Sequence, residues 1–199
     1  MRIERKTCPN QRAKNMGKRS DFKRIPRDFY PTPLSAVVPL IGHIGEDVAY
    51  WEPCAGERDL IDHISDIYPQ SFCVGAMDIQ APNADRFDNW HNMLEVGDAL
   101  QSSAPPEADY IITNPPWDRK ILHPMIEHFS AMRPPWLLFD ADWMHTKQSA
   151  PFMPYLRKIV SVGRVKWIPD SKMTGKDNCA WYLFDQSGEG ATQFYGRTA

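Results

Sequence analysis

The stretch that decides the fold runs Val48-Ala49-Tyr50-Trp51-Glu52-Pro53-Cys54-Ala55-Gly56. Residues 48–52 are mostly apolar and predict a short strand, and Pro53 and Gly56 mark the turn that follows it. Beyond the turn, residues 58–68 predict a helix, because four apolar side chains share one face: Leu60, Ile61, Ile64 and Ile67. A strand, a turn and a helix in this order form the repeating unit of α/β proteins.

The same alternation recurs on both sides of this stretch. Helices are predicted over 33–44, with Thr32 as cap and Pro33 at the first helical position, and over 119–132. Further strands are predicted over 71–77, 109–113 and 136–140, followed by two β-rich runs over 159–168 and 179–184 with a polar loop at 169–178. Alternating strands and helices favour a doubly wound, mostly parallel sheet, and the two late runs predict an antiparallel strand at its edge.

The charge of the chain is unevenly distributed. The 199 residues hold 23 Lys and Arg against 25 Asp and Glu, yet residues 1–27 hold ten basic and two acidic side chains. We therefore expect three parts: a flexible basic arm (1–27), a catalytic domain (28–187) and a C-terminal tail (188–199). The arm is predicted to bind nucleic-acid phosphates through Arg12, Lys14, Lys18, Arg19, Lys23 and Arg24. The alternative is a tail that only increases solubility.

Several classes of protein are disfavoured by composition. No apolar run approaches the ~20 residues that span a bilayer, and the N-terminus lacks the apolar segment of a signal peptide. The four cysteines form no C-x-x-C pair, and the six histidines show no metal-ligand spacing. We therefore expect a soluble cytoplasmic protein without a metal.

Acidic residues stand where successive strands end. Glu52 closes the first strand, Asp78 follows Gly56 by 22 residues at the end of the second, and Asp98 precedes the third. This spacing is typical of carboxylates that contact the ribose and base of a nucleoside cofactor, although single strand-end acids are more often helix caps. The loop is not G-x-G-x-x-G, so S-adenosylmethionine fits it better than a dinucleotide.

The strongest motif is Asn114-Pro115-Pro116-Trp117, at the end of the strand predicted over 109–113. Two prolines fix φ and remove two backbone donors, so the loop presents its carbonyls in a rigid array. Asn114 offers a side-chain acceptor beside the Pro115 carbonyl, and Trp117 offers a flat apolar face. The alternative is a proline-rich turn with a buried tryptophan.

These segments together carry a family resemblance. The motifs Asp28-Phe29-Tyr30-Pro31-Thr32-Pro33, Glu52-Pro53-Cys54-Ala55-Gly56, Asp78, Asp98, Asn114-Pro115-Pro116-Trp117 and the late run 178–184 occur in order over roughly 28–185. In this order they resemble the S-adenosylmethionine-dependent amino-methyltransferases with a Rossmann-like fold, most closely the small phage and prophage DNA N6-adenine methyltransferases. The Asn-Pro-Pro-aromatic tetrapeptide also occurs in RNA and glutamine N-methyltransferases, so alone it indicates only a planar amino nitrogen as acceptor.

The resemblance implies roles for individual residues. The methionine part of S-adenosylmethionine would contact Phe29, Tyr30, Thr32 and the loop Glu52, Pro53, Cys54, Ala55 and Gly56. Asp78 would hold the ribose hydroxyls and Asp98 the adenine amino group. Asn114, Pro115, Pro116 and Trp117 would form the catalytic loop, with Trp167 or Trp181 as candidates for a second aromatic face. The expected partner is double-stranded DNA, which the hairpin-tip residues Lys172 and Lys176 would contact through its backbone.

One position departs from the family pattern. The family loop usually continues Gly-x-Gly, whereas the second glycine is replaced here by Arg58. Either Arg58 lies on the following helix and points outward, or cofactor binding is weakened. Two alternative functions therefore stay open: the same chemistry on RNA or a protein amide, and a non-catalytic nucleic-acid-binding protein on a decayed methyltransferase fold.

Overall fold

Eight strands form a single sheet in the computed structural model, which describes residues 29–81, 94–168 and 175–197. Their order across the sheet is β3-β2-β1-β4-β5-β7-β6-β8. The strands are β1 (Ala49–Glu52), β2 (Phe72–Asp78), β3 (Leu94–Val96), β4 (Tyr110–Thr113), β5 (Pro135–Asp140), β6 (Leu156–Arg164), β7 (Asn178–Phe184) and β8 (Gln193–Tyr195). Only β7 runs antiparallel to its neighbours, β5 and β6. The prediction of a doubly wound, mostly parallel sheet with an antiparallel strand towards one edge is confirmed.

Three helices cover the two faces of the sheet. They are α1 (Leu34–Ile44), α2 (Asp59–Ile67) and α3 (Arg119–Ser130), with 3-10 turns at Ala99–Gln101, Ala141–His145 and Lys147–Tyr155. Neighbouring residues of one strand enter opposite cores: Ile112 packs with α1 and α2, whereas Ile111 packs with α3. This division follows from the alternation of side chains along a strand. No helix among the described residues is long and apolar enough to cross a membrane.

The predicted elements differ from the structure mainly at their ends. Strand β6 begins at Leu156 and ends at Arg164, so Val165 to Ile168 lie in the following loop instead of the strand. Strands β3 and β8 were not predicted, because three residues are too few to show an alternating pattern. Strand β8 lies within the segment expected as a C-terminal tail and pairs in parallel with β6.

The start of α1 corrects one expectation. Thr32 is not the helix cap: Pro33 occupies that position and no side chain caps the helix. The Thr32 hydroxyl instead accepts a hydrogen bond from Asn114. The predicted basic arm and Lys172 lie outside the described residues, whereas Lys176 is half-buried directly before β7.

Candidate active site

A cavity of about 400 Å³ opens at the carboxyl ends of β1, β2 and β4. Ligands of doubly wound sheets bind at this end of the strands. The cavity brings together all ten residues predicted as cofactor contacts: Phe29, Tyr30, Thr32, Glu52, Pro53, Cys54, Ala55, Gly56, Asp78 and Asp98. Segments up to 69 residues apart in the chain therefore form one wall.

Hydrogen bonds to strand β2 shape the loop after β1. The Gly56 amide donates to Asp78 Oδ2 at 2.9 Å, and the Ala55 amide donates to the Met77 carbonyl at 2.8 Å. Asp78 is 7% exposed, and its Oδ1 accepts the amide of Gln80 at 2.9 Å. The carboxylate predicted to hold ribose thus also fixes the position of the glycine loop, and each of its oxygens retains a second lone pair for a ligand.

Arg58 adopts a left-handed backbone conformation, which glycine adopts at the lowest cost. It directly precedes α2 with φ 76° and ψ 0°, and it is the only non-glycine residue with positive φ in the described part of the chain. Its Nε lies 2.7 Å from Asp62 Oδ1, one turn along the helix. The side chain does not line the cavity. Arg58 therefore precedes the helix instead of lying on it, and its side chain pairs with α2.

Glu52 is a buried carboxyl group whose Oε2 has no hydrogen-bond partner in the part of the chain that the structure describes. Burial raises its pKa well above the usual value, and the negative charges of Asp78, Asp59 and Asp62 raise it further. The residue also lines the cavity. A hydrogen-bond donor or a positive group in the cavity would satisfy this oxygen, which is the complement that a cationic cofactor offers.

The loop after β4 is fixed by the side chain of Asn114. Its Nδ2 donates to Thr32 Oγ1 at 3.1 Å, and its Oδ1 accepts from Trp117 Nε1 at 3.4 Å. Trp117 Nε1 also donates to the Leu138 carbonyl at 3.1 Å. Asn114 and Pro116 line the cavity, whereas Pro115 is buried and Trp117 lies half-buried beside it. The Asn114 amide is thus oriented at the rim of the cavity.

Aromatic rings stand beside this loop. The indole of Trp167 meets that of Trp117 edge-on, with ring centroids 5.7 Å apart and planes at 87°. The ring centroid of Trp167 also lies 6.3 Å from that of Tyr30. Trp181, the other candidate for a second face, is fully buried and donates through Nε1 to the Ala36 carbonyl at 2.7 Å. Trp181 is therefore a core residue, and Trp167 remains the candidate.

Asp98 both caps a 3-10 turn and borders the cavity. Its Oδ1 accepts the Leu100 amide at 3.0 Å and caps the 3-10 turn that begins at Ala99. The side chain is exposed and borders the cavity. The cap leaves the second carboxylate oxygen available to a ligand.

An apolar wall of the cavity was not predicted. It consists of Ile79, Leu100, Ile121 and Met125. Ile79 is 60% exposed and directly follows Asp78. Its position after the acidic residue that ends a strand could have identified it as a cavity residue from the sequence. Ile121 and Met125 are one turn apart on α3, but the sequence does not show which face of that helix meets the cavity.

Two other kinds of chemistry lack support in this cavity. Burial, followed by the charge of Asp78, raises the pKa of Cys54, so its thiol stays protonated and is a poor nucleophile. Within residues 29–81, 94–168 and 175–197, no three His, Cys, Asp or Glu side chains are grouped so that they could hold a metal ion.

Comparisons with known proteins identify the fold. No protein-family model matches the sequence, and no curated protein gives a significant match. A similar solved structure is a protein from Listeria monocytogenes described as a class I S-adenosylmethionine-dependent methyltransferase; the TM-score is 0.56 and the identity 10%, with 83% of this chain and 63% of that chain covered.

Two further structures are similar at the same level. One is the methyltransferase subunit of a type I restriction-modification system from Streptococcus thermophilus, with a TM-score of 0.55, 10% identity and coverage of 80% and 45%. The other is a dimethyladenosine transferase from Plasmodium falciparum, with a TM-score of 0.51, 16% identity and coverage of 78% and 62%. The chain spans less than two thirds of the length of each of these three structures. The likeness shows a Rossmann-like methyltransferase fold.

Proposed function

We propose that the protein is an S-adenosylmethionine-dependent methyltransferase that acts on the exocyclic N6 amino group of adenine in DNA. The observation that carries this proposal is the oriented amide of Asn114 at the rim of the cavity, held by Thr32 and Trp117. An amide carbonyl in this place can accept a hydrogen bond from an amino group brought to the cavity.

The cavity fits the cofactor in size and in chemistry. Its volume of about 400 Å³ lies within the range of small-ligand sites. Asp78 offers free lone pairs for ribose hydroxyls, the apolar wall around Ile79 suits an adenine ring, and the orphaned Oε2 of Glu52 suits a positive group. When bound, S-adenosylmethionine supplies a methyl group on a positively charged sulfur.

The residues of the loop would prepare the acceptor nitrogen. The lone pair of an adenine amino group is delocalised into the ring, so the nitrogen is a weak nucleophile. The Asn114 Oδ1 and the Pro115 carbonyl would accept its two N–H groups, favour a pyramidal nitrogen and stabilise the positive charge that develops on it. No strong general base is required, because the proton can leave after methyl transfer.

DNA is the acceptor that the remaining features favour. An adenine inside a duplex must leave the stack, and aromatic side chains can replace its stacking partners. Trp117 and Trp167 offer such surfaces beside Asn114. The basic residues of 1–27, with Lys172 and Lys176, are proposed to bind the phosphate backbone.

RNA is the second candidate acceptor, because the loop would bind a planar amino nitrogen whichever polymer carries it. The decayed, non-catalytic alternative depended on Arg58. The Arg58 side chain pairs with Asp62 and is not among the residues that line the cavity, which favours a functional cofactor site over that alternative.

A transfer assay tests the proposal directly. The protein is incubated with methyl-labelled S-adenosylmethionine and with adenine-containing duplex DNA, an inosine–cytosine duplex, RNA or denatured protein. We expect label only in the adenine-containing DNA, recovered as N6-methyladenine. Label in RNA alone would replace DNA by RNA as the substrate, and absence of label together with absence of cofactor binding in calorimetry would contradict the proposal.

Asn114→Ala separates binding from turnover. We expect cofactor affinity to change little and turnover to fall by well over tenfold, because the acceptor for the amino group is lost. Gln193→Ala, which removes an exposed amide on β8 away from the cavity, is the control and should match the wild type. Retained cofactor binding with a loss of turnover below tenfold would contradict the role of Asn114.

A further inference from the structure

Glu52 Oε2 is a buried carboxyl oxygen of the cavity with no hydrogen-bond partner among the described residues, and its surroundings determine what it can bind. Glu52 is 1% exposed and lines the cavity, and its Oε2 accepts no hydrogen bond. A buried charged oxygen without a partner is strongly unfavourable. It must therefore carry a proton or meet a positive group.

Within residues 29–81, 94–168 and 175–197, the side chains around Glu52 do not supply that positive group. The charges that act on it are the carboxylates of Asp78, Asp59 and Asp62, and all three favour its protonated form. Both oxygens of Asp78 accept backbone amides, so Asp78 is held as an acceptor. The nearby guanidinium, that of Arg58, lies 2.7 Å from Asp62. The elements packed against Glu52 carry further titratable groups. These include Tyr50 on β1, Cys54 and Arg58 in the loop, Asp59 and Asp62 on α2, and Cys73 and Asp78 on β2.

We infer that Glu52 holds a proton in the ligand-free protein and releases it when a ligand brings a positively charged group into the cavity, so that the site selects cationic ligands over neutral nucleosides. This inference rests on the proposed function, because S-adenosylmethionine is the cationic ligand concerned. Glu52 is thus a specificity-determining residue for the cofactor.

The step balances without any further reactant. The O–H bond of the Glu52 carboxyl group breaks, its proton passes to the buffer, and the carboxylate then pairs with the cation of the ligand. S-adenosylmethionine carries a sulfonium and an ammonium group. 5′-Methylthioadenosine has the same nucleoside and a neutral thioether, and it carries neither cation. The first compound should therefore displace the proton, whereas the second should bind without doing so.

Calorimetry can count the proton. Each ligand is titrated into the full-length protein at pH 7 in phosphate, HEPES and Tris, which differ in their enthalpy of ionisation. The slope of the observed binding enthalpy against the buffer ionisation enthalpy gives the number of protons released. We expect release of up to about one proton for S-adenosylmethionine and about zero for 5′-methylthioadenosine. The affinity for S-adenosylmethionine should rise by up to about tenfold per pH unit while Glu52 is protonated.

Glu52→Gln tests the assignment to this residue. Glutamine keeps the size of the side chain and an acceptor oxygen but has no acidic proton. We expect proton release to disappear and the preference for S-adenosylmethionine over 5′-methylthioadenosine to fall at least tenfold. Asp66→Asn is the matched control, because it removes an exposed carboxylate of α2 that is not among the charges acting on Glu52. Circular dichroism establishes that both variants are folded.

The outcomes distinguish the inference from the proposed function. Binding of S-adenosylmethionine without proton release would overturn the inference and leave the methyltransferase proposal intact. Equal proton release by the wild type and by Glu52→Gln would have the same consequence. Failure of the wild type to bind S-adenosylmethionine would overturn both. If Glu52→Gln does not fold, the comparison of the two ligands on the wild type decides: equal proton release by both overturns the inference.

Discussion

Asn114 Nδ2 donates a hydrogen bond of 3.1 Å to Thr32 Oγ1 across 82 residues of sequence. This contact joins the segment before α1 to the loop after β4, and both residues line the cavity. The indole Nε1 of Trp117 can only donate, so its bond to Asn114 Oδ1 fixes which end of the amide is the carbonyl, and the bond to Thr32 holds the amide in that position. A residue of the predicted cofactor wall thus orients a residue of the predicted catalytic loop.

Thr32→Val should reduce turnover more than cofactor binding. The variant keeps the shape of the side chain but leaves the Asn114 amide without its partner, at a cost of about 1–2 kcal/mol. We expect kcat to fall roughly tenfold with the cofactor dissociation constant changed much less. Thr32→Ser retains the hydroxyl and is the control. A loss of turnover in Thr32→Ser as large as that in Thr32→Val would show that the hydroxyl does not account for the effect and would contradict this prediction.

Arg58→Val should destabilise the folded protein more than Arg58→Gly does. At φ 76° a side chain is strained by about 1–2 kcal/mol, which glycine relieves and a β-branched residue increases. Glycine also loses backbone entropy and the exposed ion pair with Asp62, so its net effect should stay within about 1 kcal/mol. Urea denaturation should show Arg58→Val to be the less stable variant, and a more stable Arg58→Val would contradict the left-handed geometry.

Gly175→Ala should disturb the position of Trp167 beside Trp117. A Cβ at this position would lie 2.9 Å from the Val165 carbonyl oxygen and 3.3 Å from Trp167 Cδ1, and the Gly175 amide donates to that same carbonyl at 2.8 Å. We expect a raised KM for the polymer substrate and a changed tryptophan emission spectrum. Gly42→Ala on α1, where a Cβ meets nothing within 4 Å, should stabilise the protein by up to about 1 kcal/mol and leave KM unchanged.

The pH dependence of stability should report on Glu52. Its pKa is raised in the folded protein, so the folded state holds more protons and the contribution of Glu52 to stability is lost as pH rises from its usual value near 4.5 through the folded pKa. Without cofactor, the wild type should therefore lose stability relative to Glu52→Gln as pH rises above the usual glutamate pKa near 4.5, by about 1.4 kcal/mol per unit of pKa elevation. Parallel curves of melting temperature against pH for the two proteins would contradict this expectation.

Much of the site could be predicted because it depends on the ends of strands. Glu52, Asp78 and Asn114 each follow a short apolar run, and parallel strands bring their carboxyl ends to one edge of the sheet. The residues that were not predicted lack such a marker. Ile121 and Met125 belong to a helix whose position over the sheet is set by packing, and β8 has only three residues from which no period can be read.

The sequence is enough to predict the sheet with its helices on both faces, the basic character of the first 27 residues, and the set of side chains at the strand ends. These features follow from local periodicity and composition. The three-dimensional arrangement was needed to show that Thr32 accepts a hydrogen bond from Asn114 instead of capping α1, that Trp181 belongs to the core, and that Glu52 Oε2 has no partner among the described residues. The reason is physical: hydrogen bonds and burial between distant segments depend on packing in three dimensions, which no local pattern encodes.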